Sequence, residues 1–325
     1  MGILNKKFWV YIAVIVAMAF WALSFIWYKD AYVYYRPITL VFFRLVISSA
    51  FLYVFSLAMR KLERVEKGDL KLFFLLAFFE PLLYFIGESF GMTLISSTMA
   101  AVIVSTIPLL IPIGEFFMFH RRISTTNLMG IIASILGVCM VIFHNGFGQV
   151  NVSFTGVALM FLAVFSTVGY SLIVGKLTVK YNVYSIITYQ NTIGALYFMP
   201  LFLIFDLSHF RTVGISWQAM VPVVKLGIFA STFAFMLFTY SIKHLGITRA
   251  NTFSNAIPVL TAFFAYFLLD EALTPVMIAG VLVVVAGLFL SQISPKAKTQ
   301  VELKVLPEHP VVGIGLRLRK KLFRK

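Results

Sequence analysis

The stretch "TIPLLIPIGEFFMFHRRISTTNLMGIIASILGVCMVI" (106–142) has a second copy later in the chain, "AIPVLTAFFAYFLLDEALTPVMIAGVLVVVAGLFLSQ" (256–292). A constant shift of 150 positions sets Pro108 on Pro258, Gly130 on Gly280 and Gly137 on Gly287. Nearer the start the match is weaker and the shift is 146, laying "YRPITLVFFRL" (35–45) over "YNVYSIITYQN" (181–191). Fixed-period self-similarity points to a repeated structural unit. Both copies are largely apolar, so that unit is a set of membrane spans.

Composition agrees. Of 325 residues, 61% are hydrophobic and 12% charged, with a mean hydropathy of +0.96. Soluble domains run at about 45–50% apolar and about 25% charged. No soluble core of this size hides so much apolar surface, so the solvent must be lipid. A net charge of +15 would suggest nucleic acid in a soluble protein. Here the bases sit between apolar runs, which reads as membrane orientation instead. Cys139 is the single cysteine, so no internal disulfide forms, and the five histidines lack ligand-like spacing. Neither a metal nor a cofactor is expected.

Windows of about 20 residues give ten candidate spans: 8–28, 37–59, 70–94, 97–119, 126–144, 155–175, 184–205, 218–242, 249–269 and 275–293. The run from Phe8 to Trp27 outlasts the roughly 7–15 residue core of a signal peptide and is read as the first span. Five spans per copy is an odd number, so the second copy crosses the bilayer upside down relative to the first. The expected architecture is an all-α polytopic membrane protein of two inverted five-helix repeats, 8–146 and 150–293, followed by a basic tail over 294–325. With the N-terminus inside, cytoplasmic segments carry 22 Lys and Arg against 4 on the other side. That bias places both termini in the cytoplasm.

A second stretch, "FFEPLLYFIGESFG" (78–91), carries Glu80 and Glu88 inside a span. On a continuous helix Glu80, Tyr84 and Glu88 share one stripe about 12 Å long. An ionised side chain at the bilayer centre costs about 2.5–3.5 kcal/mol on insertion scales, so the stripe faces the bundle. Two roles fit it: carboxyls hydrogen-bonded to neighbouring helices for packing, or groups that bind and couple. The second copy has Ala230, Ala234 and Phe238 at the matching positions, which favours function over scaffold. Pro81 removes a backbone donor, and Gly87 and Gly91 thin the same helix for a neighbour or a ligand. Glu88, expected nearer mid-membrane with glycine-made space beside it, is the candidate proton-coupling group; Glu80 and Tyr84 would orient or bind a solute. Arg44 would either neutralise a nearby carboxylate or contact an anionic group. Trp21, Ser24 and Tyr28 fall at i, i+3 and i+7 on one face of span one, and Tyr170 aligns with Ser24. Gln190 in span seven and the aligned pair Ser105 and Asn255, just before the matched prolines, complete the candidate solute contacts.

The stretch "AFWALSFIWYKDAYVYYRPITLVFFR" (19–44), with Trp21, Phe25 and Arg44, resembles the opening of the EamA family in the drug/metabolite transporter superfamily. The "IPxL…DExLTPxxxxGxxLxxxG" stretch (257–287) resembles the end of that family's second repeat, with Glu271 at its characteristic Glu position. The first copy departs by holding Arg121 there, and Glu80 and Glu88 are additions to the pattern. The resemblance implies a ten-helix secondary-type transporter of the bacterial-type cytoplasmic (inner) membrane. It would move a small metabolite (an amino acid, nucleoside or similar solute) by alternating access. Its partners would be that solute and membrane lipids, not nucleic acid, with the chain acting as monomer or homodimer. A membrane-embedded enzyme is the alternative, and the sequence offers no HExxH and no acid-rich loop for it. A receptor or scaffold is the other alternative; the basic tail would then dock anionic lipid or a partner. Topology is directly testable: an impermeant label applied from outside should reach the loop at 145–153 and miss both the loop at 60–69 and the tail. Labelling of the tail from outside would remove the inverted arrangement.

Overall fold

Helices follow from the solvent: in lipid, each backbone N–H and C=O must be satisfied within its own segment. The computed structural model describes residues 2–119, 125–142, 153–270 and 273–292, with no strand among them. Arg121, Glu271, the loop at 145–152 and the tail over 294–325 lie outside the described residues. In chain order the helices are α1 (Gly2–Tyr32), α2 (Pro37–Ala58), α3 (Lys67–Leu94), α4 (Ser97–Val104 continued by Ile107–Phe119) and α5 (Thr125–Ile142). There follow α6 (Phe154–Lys180), α7 (Val183–Val213), α8 (Trp217–Leu245), α9 (Ile247–Leu269) and α10 (Pro275–Gln292). Eight of them are long and apolar enough to cross a membrane; α5 and α10 hold the shorter apolar stretches Leu128–Gly137 and Pro275–Gly287. The protein is an integral membrane protein.

Connections are short, and side chains close the helix starts. Ser96, Ser153, Asn182 and Ser216 each accept a backbone N–H three residues on, at 2.9–3.3 Å. The first turn of α2 begins with Pro37, which has no N–H to satisfy. Another first-turn donor is met from a different helix: Thr39 donates its N–H (2.9 Å) and its hydroxyl (2.8 Å) to Asp206 Oδ2. Helix α7 therefore runs on to Val213, past the end expected near 205, and carries buried Asp206 with it.

The bundle is apolar outside and polar at chosen seams inside. Val54, Ile204, Phe205 and Phe267 are exposed, as a lipid-facing surface requires. Between α2, α7 and α8, Ser48 Oγ lies 2.6 Å from Thr232 Oγ1, and Asn191 donates to Ser48 Oγ (2.7 Å) and to the Ser231 carbonyl (2.9 Å). Helix α3 packs on α6, α2 on α7, α1 on α8 and α9, α4 on α6, and α5 on α10. At one end, the loop at 60–69 is tied to the α6–α7 junction. Lys180 bonds Glu66 and Asp69 at 2.6 Å, and Glu63 accepts the Asn182 N–H at 2.7 Å. At the other end Lys29 donates to the Met92 and Ile95 carbonyls, and Tyr35 to the Gly214 carbonyl.

Gly87 and Gly91 belong to helix packing, not to free space beside Glu88. A Cβ on Gly87 would sit 2.8 Å from the Ala163 N and overlap the Leu159 carbonyl; one on Gly91 would press on Met160. Gly87→Ala should therefore push α3 off α6 and cost about 1–3 kcal/mol, read as a lower Tm in detergent. Gly68→Ala, with open space around it, should leave Tm unchanged. Equal behaviour of the two variants would refute the close contact.

Candidate functional site

The site begins at a break in α3. The helix is regular over Leu70–Ala77, widens through Phe78–Leu83 and resumes over Tyr84–Leu94. Glu80 is extended there (φ −144°, ψ 112°), ahead of Pro81. The Pro81 ring docks where α7 carries Gly194, which has no side chain to obstruct it. This corrects the expected continuous stripe: Tyr84 and Glu88 share a regular turn, while Glu80 reaches the same space from across the break. Glu80, next to Pro81, also falls nearer the middle of α3; Glu88 is nearer its end at Leu94.

Four helices meet at Arg44, which is 2% exposed. Its Nε donates to Ser231 Oγ of α8 at 2.8 Å, and its Nη1 donates to the Tyr28 hydroxyl of α1. Tyr28 donates in turn to Glu88 Oε2 at 2.7 Å, and Tyr84 donates to Glu88 Oε1 at 2.8 Å. Arg44 Nη1 lies 3.9 Å from Glu88 Oε2, so the tyrosine hydroxyl bridges a pair whose direct contact is long. The guanidinium also covers the Phe85 ring, 4.3 Å from its centroid. Both Glu88 oxygens are thus occupied.

Beside this cluster lies a cavity, with about 550 Å³ of non-atom space that includes open solvent. Trp21, Ser24, Arg44, Glu80, Tyr84, Glu88 and Tyr170, all candidates from the sequence, line it. Trp21 stands edge-on to Phe235 and Phe238, with centroids 5.3 and 4.9 Å apart. Three candidates are not on its wall. Ser105 spends its hydroxyl on the Val102 carbonyl of its own helix (2.6 Å). Asn255 is buried with a side-chain amide that lacks a hydrogen-bond partner, and Gln190 is buried within reach of the Tyr170 hydroxyl. The wall also holds Phe25, Phe85, Thr167, Phe235, Phe238, Asn251 and Ser254, which sequence reasoning did not select. The repeat itself could have found several of them. The 150 shift relates Phe85 to Phe235, Glu88 to Phe238, Val104 to Ser254 and Ile107 to Ile257, all on the wall. The 146 shift likewise relates Trp21 to Thr167 and Ser24 to Tyr170.

A family model described as the EamA-like transporter family matches residues 8–143 and again 154–292. The chain belongs to the EamA-like transporter family. A protein from Archaeoglobus fulgidus described as an uncharacterized transporter is 26% identical over 87% of this chain and 98% of its own length. The uncharacterized transporter YdfC of Bacillus subtilis is 25% identical over 82% of this chain and 85% of its own. One solved structure, described only as the crystal structure of a protein, shares the fold over 86% of this chain and 98% of its own, with a TM-score of 0.62 and 17% identity. EamA membership makes the protein a membrane transporter in general terms. The Arg44–Glu88 pairing is this chain's own feature to test. Arg44→Gln leaves a buried carboxylate without its counter-charge, which should cost about 3–5 kcal/mol. The double variant Arg44→Gln/Glu88→Gln should recover part of that Tm loss, and strictly additive losses would mean the two groups are not coupled.

Proposed function

We propose that this EamA protein is a secondary-type transporter that moves a small metabolite across the cytoplasmic membrane by alternating access. Its two five-helix repeats are inverted and both termini face the cytoplasm. The observation carrying the reading is a cavity whose wall includes several positions that the internal repeat relates and also carries an arginine and two glutamates. Inverted-repeat transporters bind their solute where the halves meet and rock about it.

The helix packing supports the same reading. Exchanging α1 with α6, α2 with α7, α3 with α8, α4 with α9 and α5 with α10 turns the α3–α6 contact into α8–α1. It likewise turns α1–α9 into α6–α4, while α2–α7 and α5–α10 return to themselves. Helices α4 and α9 are both interrupted just ahead of the matched Pro108 and Pro258, at Ser105–Thr106 and at Phe253–Asn255. The end that joins 60–69 to 180–185 gathers Arg60, Lys61, Arg64, Lys67 and Lys180, in keeping with a cytoplasmic face.

Glu88 carries the proposed proton coupling, for a reason that replaces the expected free space beside it. A proton on Glu88 removes the charge that offsets Arg44 and loosens the junction of α1, α2, α3 and α8. Proton occupancy is thereby tied to the packing that must change between facings. A thermal-shift screen of amino acids, nucleosides, sugars and organic cations would identify a solute, and a ligand at 100 times its Kd should add about 2.7 kcal/mol. With that solute, Glu88→Gln should abolish uptake driven by a pH gradient in proteoliposomes while leaving binding within about threefold, a shift of under 1 kcal/mol. Concentrative uptake by the variant with unchanged pH dependence would reduce Glu88 to a packing residue.

A further inference from the structure

We infer that Glu80 is the cation-recognition group of the cavity, and that the solute is an amine bearing one positive charge on an apolar, aromatic-sized body. The assignment rests on the transport reading above and names the class of solute it moves. Three charged side chains line the cavity: Arg44, Glu80 and Glu88. Their formal charges leave one carboxylate in excess. Arg44 and Glu88 are already committed to each other through Tyr28; Arg44 Nε also donates to Ser231, and the second Glu88 oxygen accepts from Tyr84. Glu80 is the surplus group. It is 4% exposed, its Oε2 has no hydrogen-bond partner, and no ion pair to it occurs among the described residues.

A buried carboxylate without a partner is costly, and an incoming ammonium removes that cost with a charge-assisted hydrogen bond. The surroundings suit the rest of such a solute. Trp21, Phe235 and Phe238 form a contiguous aromatic wall, and Tyr84 and Tyr170 add two further rings. Ring faces attract a cation and cover an apolar body. A solute carrying its own carboxylate fits less well. Arg44 is the sole cation on the wall, and taking it would strip Glu88 of its counter-charge. The cavity therefore discriminates by charge.

Three probes share one phenyl ring and differ in charge: 2-phenylethylamine, phenylalanine and 3-phenylpropionate. Binding to the purified full-length protein is read by thermal shift. The amine should bind about tenfold or more tightly than phenylalanine, the scale of one charge-assisted hydrogen bond, and 3-phenylpropionate should bind weakest. Glu80→Gln should weaken the amine by the same factor, while Glu80→Asp keeps the ranking. Equal affinities for the three probes, no binding of the amine, or wild-type affinity in Glu80→Gln would each overturn the assignment. The wild-type ranking decides the matter even where a variant does not fold. Counterflow in proteoliposomes separates the two claims. An amine that binds through Glu80 without being exchanged would keep the site and sink the transport reading. Exchange of some other solute, with no amine binding, would do the reverse.

Discussion

An arginine inside a lipid-facing bundle must find its counter-charge and its hydrogen-bond acceptors within the protein, because the surroundings supply neither. Arg44 meets that requirement with one group from each of three other helices: Tyr28 of α1, Glu88 of α3 and Ser231 of α8. Satisfying one guanidinium therefore fixes four helices about a single point. The turns that flank those anchors bring the cavity wall with them. Trp21, Ser24 and Phe25 precede Tyr28 on α1, and Tyr84 and Phe85 precede Glu88 on α3. The cavity is what remains beside a junction that electrostatics forces to close.

Matched positions carry unmatched chemistry. Phe85 and Phe235, or Ile107 and Ile257, preserve the apolar character of the wall across the repeat. Glu88 is instead answered by Phe238, and Arg44 by Gln190. The charges of the wall all come from the first copy, while both copies supply aromatic rings. Gln190 and Asn255 are buried but are not part of that wall.

Much of this was legible beforehand. Hydropathy locates the spans, and in-membrane charge picks out Arg44, Glu80 and Glu88, because lipid penalises both an unsatisfied backbone and an unpaired charge wherever they occur. Trp21, Ser24 and Tyr170 were accessible through spacing and the repeat. Two placements differ from the expectation for local reasons. Ser105 looked available, but a hydroxyl in a helix can bond its own backbone, and this one does. The stripe from Glu80 to Glu88 assumed an unbroken helix, which the extended conformation of Glu80 interrupts.

By itself the sequence determined the solvent, the helical class, the internal repeat and the identity of the buried charges. Each of these follows from composition and period along one chain. Which groups became partners was decided only by the tertiary structure. Tyr28 bridges Arg44 to Glu88, Asp206 closes the start of α2 from 167 positions away, and Gly87 receives α6 rather than a ligand. The decision that both Glu88 oxygens are bonded while Glu80 Oε2 is left without a hydrogen-bond partner belongs there too. Partnership depends on distances of about 3 Å between different helices, and a one-dimensional pattern fixes the face a residue occupies but not what meets it across the seam.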